Sequence, residues 1–106
     1  MKLCVQEREP RVYLVVVEGD VDMSTSPELR EHLAPLFKKG TSRVIVELSG
    51  VTYIDSSGIA TLIEGLQLSR KHSIRFSLAG AQPSVQAVFE LAYLTGVFEM
   101  IPGIQD

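Results

Sequence analysis

Four consecutive residues, Asp55-Ser56-Ser57-Gly58, are the clearest candidate for chemistry in this sequence. They directly follow the apolar run VTYI, and Ile59 restarts the apolar pattern after them. Aspartate and serine are preferred caps at the start of a helix, but a single such residue is enough for a cap. A run of capping residues followed by a glycine exceeds that need. The residues alone therefore leave two interpretations open, a helix cap and a chemical site.

A strand that passes into a helix here would present these side chains where ligands and partners bind. In α/β folds that place is the crevice beyond the carboxyl ends of the strands. The first turn of a helix also has unpaired N–H groups and a partial positive charge, which favour phosphate or carboxylate. A phosphorylated serine would add roughly −1.5 to −2 charge beside those donors. The position therefore tolerates a phosphoserine. The charge of the phosphate would change which partner can bind to that surface.

Asp20 and Asp22 form a second candidate, because they follow a predicted strand and precede a predicted helix. If this loop faced the same edge as Asp55, the carboxylates could bind a divalent metal, for which such oxygens are suitable ligands. The spacing offers no supporting ligand, so turn and pre-cap roles are favoured. We predict neither a metal site nor a cofactor.

No enzyme motif accompanies Ser56. The sequence contains no phosphate-binding loop G-x-x-x-x-G-K, no nucleophile motif G-x-S-x-G and no zinc motif H-E-x-x-H. A serine nucleophile needs a base, and His32 and His72 fall within or at the end of predicted helices. A phospho-aspartate receiver centred on Asp55 is also disfavoured, because the strand ending in SLAGAQP lacks the lysine of such proteins. We therefore predict that the protein is not an enzyme.

The elements that must position these residues alternate in type. Apolar periodicity and turn residues predict strands at 3–8, 12–18, 43–48, 74–80 and 97–101, and helices at 25–40, 57–72 and 82–96. The run VTYI extends the third strand toward residue 54. The order β-β-α-β-α-β-α-β predicts an α/β fold, in which an N-terminal β-hairpin precedes alternating helices and strands and a mixed sheet is covered by helices.

The first helix is the least regular of these predicted elements. Thr25 or Ser26 is expected to cap it, and Gly40 to end it. Pro35 removes one helical hydrogen bond, so we expect it to kink the helix or to lie on its outer face. Pro35 therefore disfavours a regular helix in the second half of this segment.

The composition fits one domain, 1–106, which is long enough to bury a single hydrophobic core. The net charge of −3 argues against nucleic-acid binding, which needs a clustered basic face. No apolar stretch approaches the length of about 20 residues that a membrane span requires, and the N-terminus turns charged too early for a secretory signal. Cys4 is the lone cysteine, so no internal disulfide can form. These features predict a cytoplasmic protein without membrane insertion.

Three segments of the sequence resemble the STAS domain family, and within it the bacterial anti-sigma factor antagonists. VEGDVDMSTSPEL is similar to the family's early G-E-L-D element, although this chain has D-V-D where the family often has E-L-D. RVIVELSGVTYIDSSGIATLI resembles the central strand, the D-S-S-G turn and the following helix. GAQPSVQAVFELAYLTGVFEMIP resembles the closing element, in which a proline starts a helix before a short strand. The resemblance covers nearly the whole chain.

The resemblance implies a binding protein whose partner is a serine-kinase anti-sigma factor. In the family, the unphosphorylated antagonist binds that kinase and frees the sigma factor, and phosphorylation breaks the complex. By position in the motif, Ser56 is the implied phosphorylation site, and Asp22, Asp55, Ser57 and Gly58 are implied to bind the partner with it. We also expect Ser57 to be the helix cap and Gly58 to give an approaching partner clearance.

The family also implies an alternative function, a non-catalytic STAS subunit of an ABC-type lipid-transport assembly that docks on the ATPase subunit. The feature that favours it is the apolar helix 57–69, in which only Glu64 is charged and which would form part of a docking face. Some family members resemble weak nucleotide binders, but no phosphate loop supports that function here. The sequence leaves the oligomeric state open.

Overall fold

A five-stranded mixed β-sheet in the order β1-β2-β3-β4-β5 carries the helices of the protein. The structure, a computed structural model, describes residues 1–104, so the last two residues of the predicted domain lie outside the described part. β1 pairs antiparallel with β2, and the remaining neighbours pair parallel. The elements are β1 (Lys2–Glu9), β2 (Val12–Val21), α1 (Ser26–Leu33), β3 (Arg43–Ile54), α2 (Ser56–Lys71), β4 (Arg75–Ala79), α3 (Pro83–Leu91) and β5 (Glu99–Ile101). The predicted order and the α/β class are confirmed.

The two faces of the sheet differ in what covers them. Side chains alternate along a strand, and on β3 Val44, Val46 and Leu48 join a cluster that also holds the buried residues of all three helices. The next residue on the other face, Ile45, belongs to a small cluster built from strand residues, together with Leu14. The helices therefore cover one face of the sheet and leave the other without a helix.

Four phenylalanines link the later elements inside the helix-covered core. The rings of Phe37 and Phe76 lie 5.4 Å apart at 82°, and those of Phe89 and Phe98 lie 5.5 Å apart at 79°. Phe76 and Phe98 join the two pairs at 6.4 Å. Edge-to-face rings at such distances add about 0.5–1.5 kcal/mol per pair beyond the area they bury. This chain of rings ties α3 and the segment before β5 to the centre of the sheet.

The first helix is shorter than predicted. α1 ends at Leu33, and residues Ala34–Leu36 form a 3₁₀ turn that contains Pro35. The expected helix to Gly40 is wrong in its second half, because proline offers no N–H and its ring clashes with the carbonyl four residues earlier. The turn directs Phe37 into the core, where it is 5% exposed.

Two other predicted boundaries also change. The predicted helix 82–96 ends at Leu91, where Tyr93 takes a positive φ of 56° and the N–H of Leu94 bonds back to the carbonyl of Phe89. A left-handed residue closes a helix end in this way. The last strand accordingly starts at Glu99 and not at residue 97.

β2 continues past residue 18, where the predicted strand ended, and reaches Val21. Gly19 has a φ of 97°, and the pairing of β2 with β3 shifts register on both sides of Glu18. A glycine with positive φ at a register shift is typical of a β-bulge, which bends a strand without ending it. The strand resumes and Val21 pairs with Ile54. The bulge thus places the loop that begins at Asp22 beside the end of β3.

Across residues 1–104, the helices are all too short or too polar to span a membrane.

Candidate functional site

Two neighbouring parallel strands end together at the candidate site. Val21 at the end of β2 pairs with Ile54 at the end of β3, and the N–H of Asp55 donates to the carbonyl of Val21 at 3.1 Å. Asp22 and Asp55 are the next residues along each strand. The structure therefore brings both predicted aspartates to the carboxyl edge of the sheet, at the start of α2.

Asp55 caps α2. Its backbone is extended, with a φ of −111°, and its Oδ1 accepts hydrogen bonds from the N–H of Ser57 at 2.9 Å and of Gly58 at 3.4 Å. The hydroxyl of Ser57 donates to the same oxygen at 2.6 Å. The expectation that Ser57 is the cap is therefore wrong. The carboxylate of Asp55, two residues earlier, is the cap, and the hydroxyl of Ser57 holds it in place.

Ser56 is the first residue of α2 and is exposed to solvent. Its hydroxyl makes no hydrogen bond with any residue in the described range 1–104. The neighbouring Ser57 is half-buried and bonded to Asp55. Of the two serines in the motif, Ser56 is the one whose oxygen is free to meet a second molecule.

The loop after β2 is held by its own side chains. Oδ1 of Asp22 accepts from the N–H of Ser24 at 2.9 Å, from its hydroxyl at 2.7 Å, and from the N–H of Thr25 at 3.2 Å. The hydroxyl of Thr25 donates to the carbonyl of Asp20 at 2.9 Å. Thr25 precedes α1 but makes no side-chain cap bond, and Ser26 is the first, buried residue of that helix. Asp22 therefore orders the loop that borders Ser56.

Gly58 faces the core and not the solvent. A β-carbon built on it would lie 2.6 Å from Cγ1 of Ile54 and 2.7 Å from Cγ1 of Val21. Real side chains never approach so closely, so only glycine fits here. We expected Gly58 to give clearance to a partner, but its Cα–H faces the core. The missing side chain makes room for the ends of β2 and β3. Its part in the site is to let α2 start this close to the sheet.

The hydrogen bonds of the site keep both aspartates ionised. The hydroxyl of Ser57 is the main cause that lowers the pKa of Asp55, and the nearby charge of Asp22 acts in the opposite direction. The hydroxyl and the N–H of Ser24 lower the pKa of Asp22 in the same way. A carboxylate that accepts such bonds favours its charged form. The edge beside Ser56 therefore carries two negative charges at neutral pH.

Asp20 stands slightly apart from this pair. It lies within β2, and its Oδ1 accepts a hydrogen bond from the hydroxyl of Thr52 on β3 at 3.3 Å. Within residues 1–104, the acidic, histidine and cysteine side chains form no group of three or more that is arranged to hold a metal ion. Asp20 thus has a structural bond between the two strands.

Neither histidine lies near Ser56 in the fold. Nδ1 of His32 is 2.8 Å from the carbonyl of Glu28, within its own helix. His72 caps the far end of α2, which is about 24 Å from Asp55 along a helix that rises 1.5 Å per residue. A general base must come within hydrogen-bond reach of the group it activates. These positions give Ser56 no histidine base.

Two exposed apolar residues border the site and were not among its predicted residues. Met23 follows Asp22 and is 80% exposed, and Tyr53 precedes Ile54 and is 52% exposed. Exposed large apolar side chains beside polar ones are typical of a protein-binding surface. The available signal was their position, because each lies within two residues of a predicted site aspartate.

The apolar stripe of α2 is used inside the domain. Ile59, Leu62 and Gly65 are buried against the core, and Glu64 pairs with Arg30 of α1 at 3.0 Å. The helix composition that favoured docking on an ATPase subunit is thus explained by packing on the sheet. The alternative function loses the feature on which it was based.

A helix-covered mixed sheet with this strand-to-helix turn defines a STAS domain. The model of the STAS domain family matches residues 5–106, so the chain belongs to that family. The predicted resemblance is confirmed at this level.

Similar proteins include several anti-sigma factor antagonists. The anti-sigma-B factor antagonist of Staphylococcus aureus is 28% identical over 97 residues, which are 92% of this chain and 90% of that protein. A solved anti-sigma factor antagonist from Mycobacterium paratuberculosis has a TM-score of 0.85 at 22% identity, covering 97% of this chain and 86% of that one. Unphosphorylated SpoIIAA, an anti-sigma factor antagonist, has a TM-score of 0.83 at 16% identity, covering 98% and 90%. The phosphorylated form of SpoIIAA, from Bacillus, has a TM-score of 0.78 at 15% identity, covering 98% and 93%. These structures share the fold described above.

Proposed function

We propose that this protein is an anti-sigma factor antagonist that binds a serine-kinase anti-sigma factor and is released from it by phosphorylation of Ser56. The observation that carries the proposal is the environment of Ser56. It is exposed at the start of α2, its hydroxyl makes no bond within residues 1–104, and two ordered aspartates lie beside it. Relatives named as anti-sigma-B factor antagonists support the partner class.

The geometry favours Ser56 over Ser57 as the acceptor. Phosphorylation of Ser57 would break its 2.6 Å bond to Asp55 and place a dianion against that carboxylate. Ser56 loses no internal hydrogen bond when it is modified. The assignment of the acceptor therefore has a physical reason in addition to the position within the motif.

The phosphate would act as a charge on the docking surface. Asp55 already accepts the N–H groups of Ser57 and Gly58 at the start of α2, so a phosphate on Ser56 finds those donors occupied. It would add roughly −1.5 to −2 charge next to two ionised aspartates. A partner surface that fits two negative charges would then meet about twice as much negative charge, with a higher desolvation penalty.

The kinase would supply the catalytic groups of this reaction. Phosphoryl transfer depends on nucleotide, magnesium ions and a base or orienting residue, and in protein kinases all of these are held on the kinase side. Ser56 then needs no base of its own, which agrees with the remote positions of His32 and His72. The protein would act as substrate and binding partner, without catalytic activity.

The test combines phosphate mapping with binding. The protein is incubated with ATP, Mg²⁺ and the candidate serine-kinase anti-sigma factor, and phosphate is located by mass spectrometry. We expect one phosphate on Ser56 in the unmodified chain and none in Ser56→Ala. Calorimetry should show that Ser56→Ala binds the kinase as the unmodified chain does, and that Ser56→Asp binds about tenfold more weakly or worse, because like charges at an interface are unfavourable.

A matched control separates a local effect from a general charge effect. Ser42 is an exposed serine just before β3, at the opposite end of the strand that leads to Ser56. Ser42→Asp adds the same charge and should leave kinase binding unchanged. Phosphate found only at another residue, or equal binding by Ser56→Asp and Ser56→Ala, would contradict the proposed switch.

A further inference from the structure

Two large apolar side chains are exposed at the edge of the sheet that carries Ser56. Met23 is 80% exposed and Tyr53 is 52% exposed. At the position of Met23 a polar residue would serve the fold equally well, because an exposed side chain gains little from burial. The ionised Asp22 and Asp55 lie beside them. Apolar side chains with a charged rim have the composition of a protein-binding surface.

The loop that presents Met23 is held by hydrogen bonds on both sides of it. Oδ1 of Asp22 accepts from the N–H of Ser24 at 2.9 Å and from the N–H of Thr25 at 3.2 Å. The N–H of Asp22 donates to the hydroxyl of Thr25 at 2.9 Å, and that hydroxyl donates to the carbonyl of Asp20 at 2.9 Å. A loop that is ordered before binding loses less entropy when a partner binds. Met23 is therefore preorganised for a contact with another molecule.

Tyr53 is presented by a paired strand at the same edge. It lies in β3, where it pairs with Asp20 of β2. The next residue, Ile54, is part of the helix-covered core, and side chains alternate along a strand, so Tyr53 lies on the sheet face without a helix. The Met23 loop bonds back to the same Asp20. The exposed surface thus continues around the carboxyl edge of the sheet, from the start of α2 to the open face.

We propose that Met23 and Tyr53 are apolar anchors for the serine-kinase anti-sigma factor, an inference that rests on the function proposed above. The kinase surface that fits is basic opposite Asp22 and Asp55 and has apolar recesses for the two anchors. A few large side chains carry most of the binding energy of a typical interface, with tyrosine prominent among them, and methionine adapts readily to apolar recesses. The anchors would supply affinity, and the phosphate on Ser56 would oppose it.

A second pair of exposed apolar residues provides matched controls. Leu91 and Tyr93 are 81% and 90% exposed at the end of α3. That helix starts beside the carboxyl end of β3, where the hydroxyl of Ser84 donates to the carbonyl of Thr52 at 3.3 Å. Leu91 is about 10 Å further along the helix, which rises 1.5 Å per residue. The controls thus have the same chemistry at a place remote from Ser56.

The test replaces one exposed apolar side chain at a time by glutamine, which is polar and uncharged. Binding of the full chain to the candidate serine-kinase anti-sigma factor is measured by calorimetry. We expect Met23→Gln and Tyr53→Gln each to weaken the affinity about tenfold or more, as the loss of an interface anchor does. Leu91→Gln and Tyr93→Gln should bind the kinase as the unmodified chain does.

Kinetics and stability distinguish anchoring from a folding defect. In the phosphorylation of Ser56, both anchor variants should raise KM about tenfold and leave kcat unchanged, because an anchor binds the ground state and the transition state alike. The urea midpoint of Met23→Gln should equal that of the unmodified chain, since this side chain is exposed. A weaker complex with an unchanged midpoint then reflects a lost contact with the kinase.

The outcomes separate this inference from the proposed function. If the kinase binds the chain and phosphorylates Ser56, but both anchor variants bind it normally, the anchors are refuted and the proposed function stands. The same holds if the controls weaken binding as much as the anchor variants do. A kinase that neither binds nor modifies the unmodified chain overturns both proposals. If light scattering shows a dimer that Met23→Gln and Tyr53→Gln dissociate, a second copy covers this surface and the anchor proposal is wrong.

Discussion

At the scale of single residues, the two serines of the motif have different tasks. Ser57 donates to the carboxylate that caps α2, whereas Ser56 makes no such bond within residues 1–104. Ser57→Ala should therefore lower the free energy of unfolding by about 1 kcal/mol, the usual net value of one hydrogen bond. The variant should still accept phosphate on Ser56. Urea unfolding and mass spectrometry check the two halves of this prediction, and a variant that loses phosphorylation while keeping its stability would reverse the assigned roles.

Asp55 makes the stability of the folded protein depend on pH in the acid range. Its pKa is lowered in the folded protein by the Ser57 hydroxyl, whereas in the unfolded chain it is about 3.9. The unfolded state thus binds the proton more readily, so this contribution to stability is complete above the unfolded pKa. It is lost as pH falls through the lower, folded value.

Asp55→Asn tests that dependence, since asparagine is a comparable cap but does not titrate. The variant should lose less stability than the unmodified chain between about pH 6 and pH 3, as measured by urea unfolding at both values. Asp22 shifts in the same direction and stays present, so the slope should decrease without disappearing. An unchanged acid slope would show that the capping bonds do not favour the charged form.

The sequence correctly predicted that a strand passes into a helix at Asp55, Ser56 and Ser57, but it could not assign the structural role of each residue. Asp55, Ser56 and Ser57 are all good capping residues by type, and only the extended backbone of Asp55 decides that it is the cap. The inward direction of Gly58 depends on Val21, which reaches it from another strand. Such a contact between distant segments leaves no local pattern for a single sequence to show.

At the scale of elements, a glycine and a proline account for two of the boundaries that differ from prediction, those of β2 and α1. Gly19 looks like the end of a strand, yet it forms a bulge within β2 because β3 continues to pair beyond it. Pro35 lies in an apolar pattern of helical period, yet its ring ends the regular helix and leaves a 3₁₀ turn. The interior of each element was predictable from periodicity, whereas these ends depend on what the neighbouring strand or core accepts.

The start of α2 gives a prediction at this scale. Gly58→Ala places a methyl group against Ile54 and Val21, both β-branched and fully packed. Overpacking of this kind costs about 1–3 kcal/mol, which exceeds the gain of roughly 0.5–1 kcal/mol that alanine brings to a helix. The variant should unfold at a lower urea concentration. Gln67→Ala, at an exposed position of the same helix, should change stability little, and a Gly58→Ala chain more stable than the unmodified one would refute the packing argument.

At the scale of the whole molecule, the sheet separates two surfaces. The Ser56 surface lies at the carboxyl ends of β2 and β3, and a groove over Leu14 and Ile45 lies toward the amino ends of β2, β3 and β4 on the face that the helices leave open. The two surfaces are separate because side chains alternate along β3. Val44 and Val46 pack on the helix-covered face, and Ile45 lies on the face without a helix. A modification of Ser56 therefore touches no residue of the groove.

The aromatic chain through Phe98 decides whether the end of the described chain folds with the rest. Phe98 is 4% exposed and contacts the rings of Phe76 and Phe89, so it joins β4, α3 and the start of β5. Phe98→Ala should lower the free energy of unfolding by about 3–5 kcal/mol, a large share of the roughly 5–15 kcal/mol of a typical domain. Tyr93→Ala removes a ring that is 90% exposed and serves as the control. If α3 and β5 are an integral part of the core, Phe98→Ala unfolds in urea as one cooperative transition at a lower midpoint. The urea midpoint of Tyr93→Ala stays close to that of the unmodified chain. An unchanged midpoint for Phe98→Ala would mean that α3 and β5 contribute little to the stability of the sheet.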